Sequence, residues 1–398
     1  MTRQRRVLPQ VLLAALLCVA SLPFGPPALA RTFLVCPSGC DFATIAAALQ
    51  AADGGDAIQI GAGTYAGGVA VSNDVRIVGA GSDTTTIQGT SEASVIRVGS
   101  KANVAIAGVT ITGGGGSRTR YGTTGGGGIL NEGELTLSDS VVRGNTVATG
   151  EGGGIFSHVS KPLTIRNSVI EENQATDGGG IYVGNGDVVM ENTTVAFNRS
   201  TRNGGGISYQ GGETLRLERS DVSNNRADMF GGGIATSSEV VLIDSDVIEN
   251  RATNAGGIAG GREQLKVVRS TIRDNVSAGS GGGIRVGSGG VALVDSFVEK
   301  NRVTGANGGG IFTNNLSGDV SLKNTTVSGN VAAQDGGGIM NDASEIVLDN
   351  SKVVDNRAGR NGGGIFSRTN SKSIIKVRTG SAVTGNLPDQ CYPPGLRC

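Results

Sequence analysis

Apolar and polar residues alternate along this chain in short runs, and the runs themselves repeat. One unit can be followed whole from Val291 to Ile311: Val291 and Leu293 share a face, Ser296 and Val298 open a second run, Asn301 marks a turn, and Gly308-Gly309-Gly310-Ile311 leads into a third. The isoleucine of that third run recurs as Ile129, Ile155, Ile181, Ile207, Ile234, Ile258, Ile284, Ile311, Ile339 and Ile365, in steps of 24 to 28 residues. The second-run position is held by Val142, Ile170, Val195, Val222, Val247, Ile272, Val298, Val327 and Val353. Period-two alternation over three to five residues, β-branched at the inward sites and broken by Asn and Gly, predicts strands. Helical repeats are disfavoured, because each glycine of the triplet would cost a helix about 1 kcal/mol. Such a unit has room for three strands and three turns but cannot bury its own apolar face. The pattern therefore predicts an all-β chain, a β-solenoid whose stacked coils complete one core.

The flanks of the array read differently. Residues 41–52 place Phe42, Ile45, Ala48 and Leu49 on one face of a helix, suited to cover the open end of the first coil. Strand-like pieces follow at 57–60, 68–71, 75–78, 85–87 and 95–98, and residues 104–111 begin the regular array. The expected organisation is a signal peptide at 1–30, an N-terminal cap at 31–53, a β-helix at 54–386 and a disulfide-closed tail at 387–398. About 12 coils at about 4.8 Å each would make a rod roughly 50–65 Å long.

Several columns emerge once the repeats are aligned. The most regular is Asn145, Asn173, Asn198, Asn225, Asn250, Asn275, Asn301, Asn330 and Asn356, continued by Asn386. An amide carries donors and an acceptor, so stacked copies can bond one another and the turn backbone, and a structural ladder is the expectation. Arg219, Asp244, Arg269 and Asp295 hold one position in four successive coils, where stacking sets opposite charges side by side. The residue after the repeat isoleucine is Leu130, Phe156 and Tyr182 in three coils and Phe312, Met340 and Phe366 in three others. If the isoleucine points in, this neighbour points out, and it either forms a platform for a sugar ring or protein partner or lies under a long turn. Directly after the asparagine stand Arg199, Arg226, Arg251, Arg302 and Arg357. They form either an anion-attracting stripe or a solvated face neutralised by Glu249 and Asp274.

Composition narrows the class. The 68 glycines lack the every-third spacing of collagen. Lys+Arg and Asp+Glu are equal at 34 each, and without the first thirty residues the balance is 31 against 34, which gives no reason to expect nucleic acid or an anionic membrane as partner. Arg3, Arg5 and Arg6, the apolar run Val11 to Ala20 and Ala28-Leu29-Ala30 read as a secretory leader. That run is far shorter than the roughly 20 residues needed to span a bilayer, so no membrane span is expected. A secreted protein, extracellular or at the cell surface, follows from the leader. Four cysteines remain beyond it, with three formal pairings. Coils stacked at about 4.8 Å separate the two ends by tens of Å, beyond the roughly 7 Å a disulfide allows between Cα atoms. Cys36–Cys40 and Cys391–Cys398 are therefore the expected bonds.

The stretch Asp41-Phe42-Ala43-Thr44-Ile45-Ala46-Ala47-Ala48-Leu49-Gln50, with Gly55 to Ile60, Gly63-Thr64-Tyr65 and Val75 to Gly79, resembles the entry segment of right-handed parallel β-helix proteins of the pectin lyase-like superfamily. The Gly-Gly-Gly-Ile and Ser-x-Val-x-x-Asn phrases are similar to repeats of the polymorphic outer-membrane protein family. The resemblance covers residues 36–391 and implies right-handed coiling and a leaning towards polysaccharides. It does not extend to an enzyme's motif. His158 is the only histidine and has no paired aspartates beside it, and the nearest acidic group, Asp244, Asp246 and Glu249, has arginine neighbours at Asp244.

With no catalytic cluster in the linear sequence, the leading expectation is a secreted, non-enzymatic, monomeric surface or matrix protein. Its long face would bind a polysaccharide or a cell-surface protein through Arg199, Arg226 and Arg251 or through Phe156, Tyr182, Phe312 and Phe366. The alternative is a polysaccharide lyase or glycoside hydrolase acting on an acidic polysaccharide. No cofactor is expected, and no metal.

Overall fold

Every coil is laid down by the same succession of short strands. In one coil, Glu134–Ser138 belongs to sheet A and Val141–Arg143 to sheet B; after the turn at Asn145 the chain reaches Ile155–His158 in sheet C. From the next coil on, a two-residue strand such as Gln174–Ala175 follows the asparagine and adds sheet D. Stacking gives 14 strands in sheet A, 13 each in sheets B and C, and 8 in sheet D. The computed structural model describes residues 30–211, 213–314, 318–342, 345–368, 374–394 and 398, and the expected leader lies outside them apart from Ala30. The fold from Arg31 to Cys398 is a right-handed parallel β-solenoid of about thirteen turns with one short helix.

The register follows the repeats. Leu135 pairs with Leu163, Val142 with Ile170, and Ile129 with Ile155 and then Ile181. All of these side chains are fully buried and join one core running the length of the rod. Like residues stack on like, so each coil offers its neighbour the same apolar surface it needs in return.

Polar ladders hold the corners. Each buried asparagine donates from Nδ2 to the next coil's Oδ1: Asn145 to Asn173, Asn198 to Asn225 and Asn330 to Asn356 lie at 2.9–3.0 Å. The same Nδ2 also donates to a carbonyl of the preceding coil, as Asn225 does to Val195 O at 2.8 Å. Asn386 continues the column and donates to Gln390 Oε1 at 2.9 Å. A second ladder runs through hydroxyls at the corner between sheets A and B, where the Ser220 amide donates to Ser245 Oγ at 3.1 Å and the Ser245 amide to Ser270 Oγ at 3.0 Å. Its sign in the sequence is the Ser or Thr two residues before each inward valine or isoleucine.

The residue before that hydroxyl is left-handed in coil after coil, with φ of 47° at Arg219, 49° at Asp244, 47° at Arg269 and 50° at Asp295. Asp and Asn enter that region at low cost, whereas arginine does so rarely. At Arg269 the compensation is visible: Nε and Nη2 bond both oxygens of Asp244, at 2.7 and 2.8 Å. This is the lateral pairing expected from the column, and it holds the Asp244 carboxyl below its ordinary value.

The cap differs in extent from the expected helix. It spans Ile45–Ala51, with Thr44 as N-cap accepting from the Ala47 amide at 3.2 Å. Phe42 is instead drawn into strand-like bonding with Leu34 and Cys36 by the tight Cys36–Cys40 loop. At the far end Cys391–Cys398 is formed as well.

Candidate functional site

The triple glycine shapes the outer face of sheet C. Its first member turns with φ near +65° and packs its backbone on the residue after the isoleucine: a Cβ on Gly152 would lie 2.9 Å from the Phe156 Cα. The turns thus fold over the column that alternation sets outward. Phe156 is fully buried, Phe312 is 8% exposed, and Tyr182 and Phe366 are half-buried. Phe156 stacks on Tyr182 at 5.4 Å and Phe366 on Tyr392 at 5.2 Å. Of the two readings for Phe156, Tyr182, Phe312 and Phe366, the covered column holds and the open platform is corrected.

Arg199, Arg226 and Arg251 stand in register in sheet D, all exposed. Arg199 and Arg226 share Asp228, at 3.6 and 3.5 Å. The expected neutralisers are placed elsewhere: Asp274 pairs with Arg273 at 2.7 Å. The asparagine column is structural throughout, with its amides spent on the ladder. The outer face of sheet A carries charges that pair off, as Arg166 with Glu191 and Lys266 with Glu239.

One place departs from this regularity. Ser117–Arg118 and Thr124–Gly125 form an antiparallel hairpin, inserted in the turn before Ile129. Buried Glu132 anchors it, accepting from the Arg120 amide at 3.0 Å and pairing with Arg97 at 2.8 Å. The tip sets the Tyr121 ring on the His158 ring, centroids 4.0 Å apart, and the Tyr121 hydroxyl donates to the His158 carbonyl at 3.0 Å. Burial, with Arg120 nearby, holds His158 below its ordinary value, so the imidazole is neutral at neutral pH.

Beside the hairpin lies a cavity of about 330 Å³ lined by Thr123, Thr149, Glu151, Thr176, Asp177 and Arg202. Glu151 and Asp177 hold the same position in adjacent coils and are paired through their backbones. Their environments differ. Burial first, and then the neighbouring Asp177 charge, raise the Glu151 carboxyl above its ordinary value, against hydrogen bonds from Thr123 and Tyr182. Asp177 is 7% exposed, pairs with Arg202 at 3.3 Å and accepts from the Asn203 Nδ2 at 2.9 Å. An Asp–Asn step of this kind recurs at Asp335 and Asn361, where it is purely structural. What sets Asp177 apart is the second carboxyl in the coil before it and the cavity in front. One carboxyl inclined to keep its proton beside one held as a carboxylate is an arrangement suited to acid–base chemistry. No linear motif announces it, because the two acids are 26 residues apart and meet only through stacking. Among the described residues no group of three or more His, Cys, Asp or Glu converges as metal ligands.

Comparison with known proteins places the fold. No curated protein sequence matches the chain. Among solved structures it is similar to the catalytic domain of a GH87 α-1,3-glucanase, with 12% identity and a TM-score of 0.46 over 91% of this chain and 70% of that one. It is also similar to the A-module of Azotobacter vinelandii mannuronan C-5 epimerase AlgE6, with 16% identity and a TM-score of 0.45 over 88% and 93% of the two chains. A polygalacturonase from Erwinia carotovora ssp. carotovora gives 11% and 0.39 over 91% and 96%. None of the matches supports the repeat likeness to polymorphic outer-membrane proteins. The expectation of a non-enzymatic binding protein is corrected: the structures of like fold are carbohydrate-active enzymes, and the carboxyl pair supplies the cluster that a search for contiguous motifs overlooked. A family model described as right handed beta helix region matches residues 61–250 and 164–327, and the chain belongs to that family.

Proposed function

We propose that the protein is an enzyme that cleaves glycosidic bonds of a polysaccharide, with the cavity beside the hairpin as its active site. The observation that carries this reading is the pairing of Glu151, pushed towards its protonated form, with the Asp177 carboxylate on the next rung. Glu151 would protonate the departing glycosidic oxygen while Asp177 activates the incoming water or steadies the positive charge developing on the sugar. Tyr121, 48% exposed and braced on His158, offers a ring face for an adjoining sugar. The leader, the two disulfides and a polymeric substrate together suit a secreted enzyme.

Reducing-end release from polygalacturonate, alginate and α-glucan tests the reading. The wild type should act on at least one. Glu151→Gln and Asp177→Asn should each lower the rate about 10²- to 10⁴-fold with an unchanged circular dichroism spectrum. A wild type inert on every polymer, or variants as fast as the wild type, would refute it.

A further inference from the structure

The column after the repeat isoleucine is interrupted. Between Tyr182 and Phe312 it reads Ser208, Ala235, Ala259 and Arg285. The three small residues leave a depression, partly filled by Phe230, which arrives from a turn and packs on Ala235 and Ala259. The Arg285 guanidinium lies between two rings, 5.5 Å from the Phe230 centroid and 5.8 Å from that of Phe312. A cavity of about 220 Å³ opens here, with Ala235, Ala259 and Gly260 among its walls.

Two polar atoms of this cavity are buried without a partner: Arg285 Nε and Asn203 Oδ1. Arg285 has no ion pair among the described residues, and no residue outside them is Asp or Glu. Burial lowers its pKa, yet a guanidinium stays charged at any ordinary pH. The Asn203 amide cannot turn to hide its oxygen, because Nδ2 is held by Asp177. A buried cation and a buried acceptor left unmatched each carry a desolvation cost that a complementary ligand would remove.

We propose that this cavity is a binding subsite for a uronosyl residue. The sugar's carboxylate pairs with Arg285, and one of its ring hydroxyls donates to Asn203 Oδ1. A bare anion satisfies only the first of these groups and a neutral sugar only the second. The two rings fix the plane of the guanidinium, so it presents its fork to a planar carboxylate. Arg285 lies four coils beyond Tyr182, about 19 Å along the axis at about 4.8 Å per coil. An extended acidic chain could thus reach both the carboxyl pair and this subsite. The proposal deepens the polysaccharide reading by naming the substrate's charge, and it rests on that reading only for the chain linking the two places.

Binding is measured by calorimetry on the full chain carrying Glu151→Gln, so that turnover plays no part and loss of activity cannot be confused with loss of the subsite. The probes are trigalacturonate, trimannuronate, their methyl esters and acetate. At least one acidic trimer should bind tenfold or more tightly than its ester, and acetate should bind far more weakly. Arg285→Gln should abolish the preference. Arg285→Lys, which keeps the charge but loses the fork, should reduce it. Should Arg285→Gln fail to fold, Ala259→Leu fills the cavity while leaving the arginine in place, and it should weaken the acidic trimer equally. Equal binding of acid and ester, acetate matching the trimers, no binding by either acid, or unchanged binding in a folded Arg285→Gln would each overturn the proposal.

Discussion

Removing one amide from the middle of the asparagine ladder tests the account of the fold most directly. Asn225 is 1% exposed and takes part in four amide bonds. Its Nδ2 donates to Val195 O at 2.8 Å and Asn250 Oδ1 at 3.0 Å, and its Oδ1 accepts from the amide and the Nδ2 of Asn198, both at 3.0 Å. At about 1 kcal/mol net per bond, Asn225→Ala should cost about 4 kcal/mol, more if the stranded groups stay dry. Asn225→Asp keeps the shape and both acceptor bonds but turns a charged oxygen towards Val195 O and Asn250 Oδ1. It should therefore be worse than alanine at neutral pH and should recover partly once acid returns a proton. Urea unfolding followed by circular dichroism gives the energies, and hydrogen exchange gives their reach. Because each coil touches only its neighbours, lost protection should centre on the coils carrying Asn198, Asn225 and Asn250. An Asn225→Ala cost below about 1 kcal/mol, or an aspartate as stable as the wild type at pH 7, would refute the claim that the ladder satisfies otherwise unpaired backbone.

The acid pair and the glycine turn give further tests. Glu151 titrates above its ordinary value of 4.5 in the folded chain, which then binds that proton more tightly than the unfolded chain does. The wild type should lose stability as pH rises from that ordinary value through the folded one, while Glu151→Gln escapes the loss. The variant's melting temperature should match the wild type's in acid and exceed it at neutral pH; a constant difference across the range would count against a perturbed carboxyl. Gly231 has φ +64°, and a Cβ there would run into the Ile234 carbonyl. Gly231→Ala should cost about 2–3 kcal/mol in urea unfolding, and a neutral result would show that the turn can relax.

How the site escaped a reading of the sequence is a matter of distance along the chain. Glu151 and Asp177 each precede a glycine triplet and read as ordinary turn residues. Asn203 reads as turn polarity and Arg285 as a surface charge. The hairpin left one faint sign, the irregular stretch of glycine, arginine and tyrosine between Ile111 and Ile129, which breaks the spacing of an otherwise even array.

What the sequence determined by itself was everything that repeats. The inward isoleucines and valines, the asparagine column, the ion-paired corner and the two local disulfides each depend on one residue type at one place in the unit, so periodicity alone carries them. Tertiary structure decided what depends on unlike residues meeting. Alternation set Phe156 and Tyr182 outward, but only the packing of the glycine turns showed them covered. Stacking at a fixed rise brought Glu151 onto Asp177, and it left Arg285 between two rings without a counter-ion. A regular solenoid makes its scaffold legible because every coil solves the same burial problem. Its chemistry stays hidden because it arises where neighbouring coils differ, and the sequence sets those differences far apart.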